Sequence, residues 1–599
     1  MCGIVGYLGA HQASPIMLDA LRRLEYRGYD SAGIATVDGG TLERRRAVGK
    51  LVNLADILVE RPLPGRAGIG HTRWATHGAP TEANAHPHRS GPVAVVHNGI
   101  VENFRELRAE LVEAGANLES ETDTETVAVL CARLMADGRG PVEAAMATID
   151  RLEGAFALAF LFDGEEDLIV AARKGSPLAV GHGEGEMYLG SDAIALGPLT
   201  QRLTYLEEGD RAVIRRSGAE IFDASGAAVE RPVTRVSATD AAADKEGHRH
   251  FMAKEIAEQP AVLRRALSAY LDGDRISLPE GTLDGVERVV IIGCGTAYYA
   301  GLVAKYWFEQ IAGLPVETDI ASEYRYREPP VGKGTLAVFV SQSGETADTL
   351  AALRYLKGRA LRTVAIVNVQ TSTIARECDV VLPIHAGPEI GVASTKAFTC
   401  QLTVLACLVV AARMASGRDT APLVEALRSL PALVDAAIGA ADAVEDIAAE
   451  IARTDDVLFL GRGRMYPLAM EGALKLKEIS YIHAEGYPSG ELKHGPIALI
   501  DEEMPVVVLA PRDDMFEKTV SNMQEVMARA GRVLLISDED GLSEGGERAW
   551  RTLAMPHVPT FVAPIVYAVP VQLLAYHTAT AKGTDVDQPR NLAKSVTVE

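Results

Sequence analysis

The 599-residue sequence predicts a mixed architecture: an α+β domain of stacked sheets with helices outside, followed by two α/β domains built on doubly wound parallel sheets. Three observations predict it. Over the first 235 residues, short strand-like segments at 4–8, 93–96, 155–162 and 168–172 mix with helical ones, without strict alternation. The chain then turns small and polar from Val236, as a linker does, and we bound that linker at 236–248. Beyond it lies an internal repeat: Val289-Val290-Ile291-Ile292-Gly293-Cys294-Gly295 recurs as Val457-Leu458-Phe459-Leu460-Gly461-Arg462-Gly463, an offset of 168 (461 less 293). Residues 336–340 recur at 504–508 with the same offset, and 364–367 have a counterpart at 533–536. The expected domains are therefore 2–235, 249–430 and 431–584, with 585–599 as a C-terminal tail.

Composition narrows the function. Apolar residues make up 48% and charged residues 23%, ordinary for a globular chain with a sizeable core. The net charge of −22 argues against nucleic acid or an anionic membrane surface as a partner, and any phosphate site has to be built locally. Six cysteines without CxxC spacing point to a reducing, cytoplasmic setting and no structural zinc. No secretory signal is visible, and the longest apolar run, 402–412, is too short to span a bilayer.

In the first domain the chemistry starts at Cys2. With Met1 removed, Cys2 carries both a thiol and a free α-amine of pKa about 8, a nucleophile with a base on the same residue. The strand at 4–8 follows, then a helix over 14–25 with Pro15 in its first turn. Polar clusters at 71–78, at His97-Asn98-Gly99-Ile100 and at 120–125 read as loops at strand ends. A thiolate attacking a carboxamide needs donors for the developing oxyanion, which Asn98 and the Gly99 N–H can supply. An amino-acid substrate needs a cation for its carboxylate and an anion for its ammonium, and Arg73 and Asp123 fit. His71, His77, His86, His88 and His97 lack acidic or Cys partners at ligand spacing and read as polar loop packing, with no metal. Arg44-Arg45-Arg46 reads as a solvated face. Together, Cys2-Gly3-Ile4-Val5-Gly6, Arg27-Gly28-Tyr29-Asp30-Ser31 and the three polar clusters resemble the class II glutamine amidotransferase domain. The resemblance implies an N-terminal-nucleophile αββα fold, hydrolysis of glutamine to glutamate and ammonia, no metal, and glutamine binding by Arg73, Trp74, His77 and Asp123.

In the repeated half, Gly293-Cys294-Gly295-Thr296 lacks the third Gly of a dinucleotide fingerprint, so no nicotinamide cofactor is expected. The informative turn is Ser341-Gln342-Ser343-Gly344-Glu345-Thr346, between a strand and a helix at 347–356. Hydroxyls and Gly at a helix N-terminus can surround a phosphate with O–H and N–H donors. Without a Lys or Walker spacing, a sugar phosphate suits it better than a nucleotide. The second copy reads Ala510-Pro511-Arg512-Asp513 there, so one phosphate site per chain is expected. With Gly293–Thr296 and 391–396, this turn resembles the sugar-isomerase (SIS) domain family, which makes Thr296, Ser341, Gln342, Ser343, Thr346 and Ser394 the expected sugar-phosphate ligands.

A helix over 465–481 carries Glu471, Lys475 and Glu478 on one face at i, i+4 and i+7. A Gly-punctuated loop with His494 follows, and the tail holds Lys594. Turning a ketose phosphate and ammonia into an amino-aldose phosphate requires an acid/base at the ring oxygen, an amine at the carbonyl and a carboxylate base; His494, Lys475 and Glu478 supply one of each. This helix, loop and tail, with the domain order, resemble the glutamine–fructose-6-phosphate aminotransferase (isomerising) family over essentially the whole chain. The resemblance implies Glu478 as the base for C1–C2 proton transfer, Lys475 near C2, and His494 from a neighbouring subunit of a homodimer for ring opening. It also implies Lys594 beside the sugar, Trp74 gating an ammonia channel, and no cofactor. Two rivals are a phosphoribosyl amidotransferase, which needs an acidic pyrophosphate loop not seen here, and a sugar-phosphate-sensing regulator, which has no use for Cys2, Glu478 or His494.

Overall fold

The computed structural model describes residues 2–235 and 245–597, so most of the expected linker, and Met1, lie outside the described residues. Two compact units result: the chain up to residue 243 together with its end from Ala593, and residues 244–592.

In the first unit the strand Gly3–Leu8 begins directly after Cys2 and is buried along its whole length. It runs antiparallel between Ala67–Arg73 and Met187–Gly190 in an eight-stranded sheet. Period-two alternation does the sorting: Ile4 and Leu8 enter the core against a second, seven-stranded sheet, while Val5 and Tyr7 face the helices Ala13–Arg22 and Leu51–Glu60. The second sheet divides its residues likewise. Ala94 and Val96 point to the first sheet, and Val93 and Val95 to the helices Phe104–Glu113, Asp123–Ala136 and Pro141–Asp150. Four layers, helix–sheet–sheet–helix, follow from that alternation. Three local expectations change. The first helix stops at Arg22, with a 3₁₀ turn at Glu25–Arg27. His97-Asn98-Gly99-Ile100 is strand rather than loop, because Val93–Val101 stays paired along Gly154–Phe162 to its end. Arg44 and Arg46 are no solvated face: both are half-buried, Arg44 donating to Pro87 O at 3.0 Å and Arg46 to Ala83 O and Ala85 O at 3.1 and 2.9 Å.

The second unit contains two five-stranded parallel sheets of identical order. In the first, Arg288–Gly293 lies between Val316–Ile320 and Thr335–Ser341, followed outward by Arg362–Val367 and Val380–Pro383. In the second, Asp456–Gly461 lies between His483–Pro488 and Pro505–Leu509, followed by Arg532–Asp538 and Arg551–Met555. The register corrects the constant offset of the sequence reading. Val290 pairs with Ala337, and Leu458 with Val506, so the third strands correspond at 169 (506 less 337). Thr363 and Val533 then correspond at 170 (533 less 363). Each of these connections is one residue longer in the second copy.

Among the described residues one helix, Lys396–Ala415, is long and apolar enough to cross a membrane, and it is buried in the core that both sheets share. The tail packs on this unit up to Leu592. Thr584 donates its hydroxyl to Ile479 O at 2.6 Å, and Arg590 lies over the Tyr481 ring and donates its N–H to the Tyr481 hydroxyl at 2.8 Å. The Asp587 carboxylate accepts from the N–H groups of Phe251 and Met252 at 2.9 and 3.0 Å, where the helix Phe251–Ala257 has free donors. Asp587→Ala is expected to remove about 1–2 kcal/mol from this docking. The amides of Phe251 and Met252 then exchange hydrogen faster than in the parent protein, and unchanged exchange would refute the capping role.

Candidate active sites

The first candidate site is assembled around Cys2. Antiparallel pairing sets Gly3 opposite Thr72, so the chain leaving Arg73 passes the thiol, and Trp74 N–H donates to Cys2 Sγ at 3.2 Å. Gly3 is required here, because a Cβ would lie 2.7 Å from both Leu24 Cβ and Thr72 Oγ1. Asp30 fixes the exit of that strand: its carboxylate accepts from Ala75 N–H at 2.8 Å, and its own N–H donates to Arg73 O at 2.9 Å. Burial pushes the Cys2 thiol up, against Trp74 N–H and the Arg73 guanidinium, which favour the thiolate.

Asn98 donates from Nδ2 to Cys2 O at 2.9 Å, and Gly99 follows it with φ of +119°. A side chain at 99 would sit 2.0 Å from Ala155 O, so only Gly lets this strand turn its N–H here. Arg73 is buried and wrapped by its own loop, donating to His77 O, to Gly78 O at 3.0 Å and to Ala79 O at 3.4 Å. Asp123 opens the helix Asp123–Ala136 and accepts from Val101 N–H at 2.9 Å. Burial resists its charge, but His97, Val101 N–H and His77 outweigh that and hold the carboxyl well below its usual range. The buried histidines are hydrogen-bonded packing, as expected, but on strands: His97 Nδ1 lies 3.0 Å from Thr124 Oγ1 and His88 Nε2 3.0 Å from Thr122 Oγ1. Desolvation pushes His71 down to about 3, and His86 and His88 well below their ordinary value.

The second candidate site lies in the second unit. The strand Thr335–Ser341 ends in the hydroxyl turn, and the helix starts at Ala347, as the sequence predicts. Ser341 Oγ accepts from Gly344 N–H and meets Thr346 Oγ1, both at 3.0 Å, while Ser343 Oγ accepts from Glu345 N–H at 3.2 Å. The turn is thus pre-shaped at a helix N-terminus, with Gln342 O held by Asn368 N–H at 3.1 Å. Two other expected phosphate ligands have their hydroxyls on carboxylates: Thr296 donates to Glu471 Oε1 at 3.1 Å, and Ser394 to Glu389 Oε2 at 2.9 Å.

On the helix Tyr466–Ser480, Lys475 is only 1% exposed and lies 2.6 Å from Glu478 Oε2 and 3.6 Å from Glu471 Oε1. Burial works against the ammonium, but Glu471 and Glu478 outweigh it and raise its pKa. Burial and the neighbouring Glu478 push Glu471 up to about 8, against the pull of Lys475. His494 is exposed at the end of the 3₁₀ turn Ser489–His494, and Lys594 lies on the stretch that groups with the first unit. Sequence reasoning passed over Glu389, which also accepts from Thr395 N–H and Ala397 N–H at 3.0 and 2.9 Å. The local signal is an acid two residues before Gly391.

Known proteins resemble both parts. The glutamine amidotransferase domain model matches residues 71–198, and the SIS domain model matches 282–411 and 450–582. The glutamine–fructose-6-phosphate aminotransferases (isomerizing) of Bradyrhizobium diazoefficiens and Zymomonas mobilis are 60% and 58% identical to this chain, each over the full length of both proteins. The chain belongs to the glutamine–fructose-6-phosphate aminotransferase family. A solved C-terminal domain of this family, the glucosamine-fructose-6-phosphate aminotransferase from Francisella tularensis, covers 58% of the chain with 44% identity and a TM-score of 0.56, and all of that domain is matched.

Gly344 has φ of +64°, and a Cβ there would lie 2.0 Å from Ser372 Oγ. Gly344→Ala is therefore expected to deform the turn and weaken sugar-phosphate affinity roughly tenfold, about 1.4 kcal/mol; calorimetry checks it, and unchanged affinity would place the phosphate elsewhere. The buried imidazoles give the first unit an acid limit. For His71, His86 and His88, below the unfolded pKa near 6.5 the unfolded chain binds protons that the folded one refuses, so their stabilisation is complete above that value and is lost as pH falls, for His71 toward about 3. His86→Gln is expected to make first-unit stability fall less steeply as pH drops below about 6.5, because the unfolded variant has one imidazole fewer to protonate. The slope is read from urea midpoints and hydrogen exchange in the strand Val93–Val101; an unaltered slope refutes the assignment.

Proposed function

We propose that this chain converts D-fructose 6-phosphate and L-glutamine into D-glucosamine 6-phosphate and L-glutamate, supplying amino sugar for biosynthesis. The observation that carries the reading is the pairing, in one chain, of Cys2, with Asn98 and Trp74 N–H at its side, and a buried Glu471–Lys475 pair bonded to the partly exposed Glu478.

In the first half-reaction the Cys2 thiolate attacks the glutamine δ-carbon, with the Cys2 α-amine taking the thiol proton once Met1 is gone. Asn98 Nδ2 and the Gly99 N–H receive the oxyanion, the C–N bond breaks as ammonia takes a proton, and water hydrolyses the thioester to glutamate. Arg73 and Asp123 hold the amino-acid end, with Trp74 and His77 beside it. In the second, the Ser341–Thr346 turn, Gln342 included, holds the sugar phosphate, and Thr296 and Ser394 join it by turning their hydroxyls from Glu471 and Glu389 to the ligand. The ring opens, ammonia adds at C2 and water leaves. Glu478 moves the proton from C1 to C2, and Lys475, charged between its carboxylates, steadies negative charge on the open-chain oxygens. The enzyme acts in the cytoplasm as a homodimer in which His494 of the partner subunit opens the ring and Lys594 closes over the sugar; His494 is exposed on its own chain, as that role requires.

Two substitutions separate the halves. Cys2→Ala is expected to lower glutamine hydrolysis by at least about a thousandfold while fructose 6-phosphate still isomerises to glucose 6-phosphate. Glu478→Gln should do the reverse. Mass spectrometry of products from glutamine and fructose 6-phosphate reads both; persistent glutaminase activity in the first variant, or isomerisation in the second, would sink the respective assignment.

A further inference from the structure

We infer that His71 is the positioning residue for the oxyanion donor: its Nε2–H fixes the Asn98 carboxamide so that the amide nitrogen faces Cys2. This rests on the reading of Cys2 and Asn98 proposed above. His71 is fully buried on the strand Ala67–Arg73, and its Nε2 lies 2.9 Å from His97 O and 3.1 Å from Asn98 Oδ1. A backbone carbonyl can only accept, so Nε2 carries the proton and is shared between His97 O and Asn98 Oδ1. The tautomer is thereby set. At the other end of the same amide, Nδ2 points to Cys2 O at 2.9 Å, a second group that can only accept. Both ends of the Asn98 amide are fixed, one by a donor and one by an acceptor, and reversing it would place Nδ2 against Nε2–H and Oδ1 against Cys2 O.

Consequently one N–H of Asn98 is committed to Cys2 O, and the other stays available for the oxygen of a substrate carbonyl. A free carboxamide rotates about its last torsion with little preference, so a donor held in place before the substrate arrives is worth more than one that has to be oriented. His86 meets the same nitrogen: its Nδ1 is 3.3 Å from His71 Nε2 and the ring centroids are 4.2 Å apart, so with the proton on His71 Nε2 this Nδ1 is the unprotonated one, a third acceptor facing that N–H. Desolvation holds His71 neutral through the working pH range, so the orientation does not titrate. The histidine is no proton carrier; it acts through Asn98 and touches neither the thiol nor the substrate.

The test uses the full-length enzyme with three variants: His71→Leu removes the donor, His71→Gln offers an amide N–H near the Nε2 position, and Asn98→Ala removes the oxyanion donor itself. Steady-state glutamine hydrolysis gives kcat and KM. Alkylation of Cys2 by iodoacetamide, followed by mass spectrometry, reports the thiol in a reaction that needs no oxyanion hole. Fructose 6-phosphate isomerisation reports the integrity of the rest of the chain. The expected result for His71→Leu is a loss in kcat of about 30–100-fold, a KM change under about threefold, and Cys2 alkylation within about twofold of the parent. His71→Gln should recover most of kcat. An unchanged kcat in His71→Leu would overturn the proposal, provided Asn98→Ala loses about a hundredfold. Parallel loss of kcat and Cys2 alkylation in both His71 variants would overturn it as well, by assigning His71 a purely structural role. If Asn98→Ala keeps its kcat, the underlying oxyanion reading fails instead, and that outcome is separate from the other two.

Discussion

A lysine ammonium with almost no exposed surface, flanked by two glutamates on its own helix, is the constraint around which the second unit is organised. Removing Lys475 and Glu471 from water costs several kcal/mol per charge unless the mutual geometry of the group compensates. Compensation comes from contact with Glu478 at 2.6 Å and from Glu471 at 3.6 Å, whose own carboxyl burial pushes up to about 8. Such an arrangement tolerates little movement, and the surroundings are correspondingly fixed. The helix is closed at Tyr481, in the left-handed region with φ of +62°, by the tail residues Thr584 and Arg590, and Thr296 reaches Glu471 from the turn after another strand.

The two parallel sheets show how one topology comes to hold one phosphate turn. With the register in hand, Ser341-Gln342-Ser343-Gly344-Glu345-Thr346 corresponds to Ala510-Pro511-Arg512-Asp513-Asp514-Met515, and the helix starting at Ala347 to the one starting at Phe516. The backbone route from strand to helix is kept, with a helix N-terminus at the same place. What differs is the side-chain set: a hydroxyl cage in one copy, and in the other carboxylates that repel a phosphate. Asp513 is spent locally, accepting from Met515 N–H at 2.9 Å.

Sequence reading went furthest where a function depends on neighbours along the chain. The hydroxyl turn, the helix at Ala347 and the Glu471, Lys475, Glu478 face are all local patterns with a fixed period. The strand at the N-terminus was readable for the same reason. Pairing across the chain was not. Nothing in the order of residues says that Thr296 meets Glu471, that Asn98 lies inside a paired strand instead of a loop, or that Arg44 and Arg46 reach the carbonyls of 83–87. The one-residue lengthenings between repeat strands were invisible too, since a short apolar run aligns about equally well in adjacent registers. From the sequence His71 is one more packing histidine; only the distances to two acceptors distinguish a filler from an orienting donor.

The buried helix Lys396–Ala415 has a consequence for how this protein is lost instead of how it works. Folded, its apolar residues are covered on every side by the core the two sheets share. Unfolded, a stretch of twenty residues with the hydropathy of a bilayer-spanning segment is released into water at once. Exposed in this way it offers a surface for association between unfolded chains, so the onset of heat inactivation is expected to move with protein concentration and heating rate.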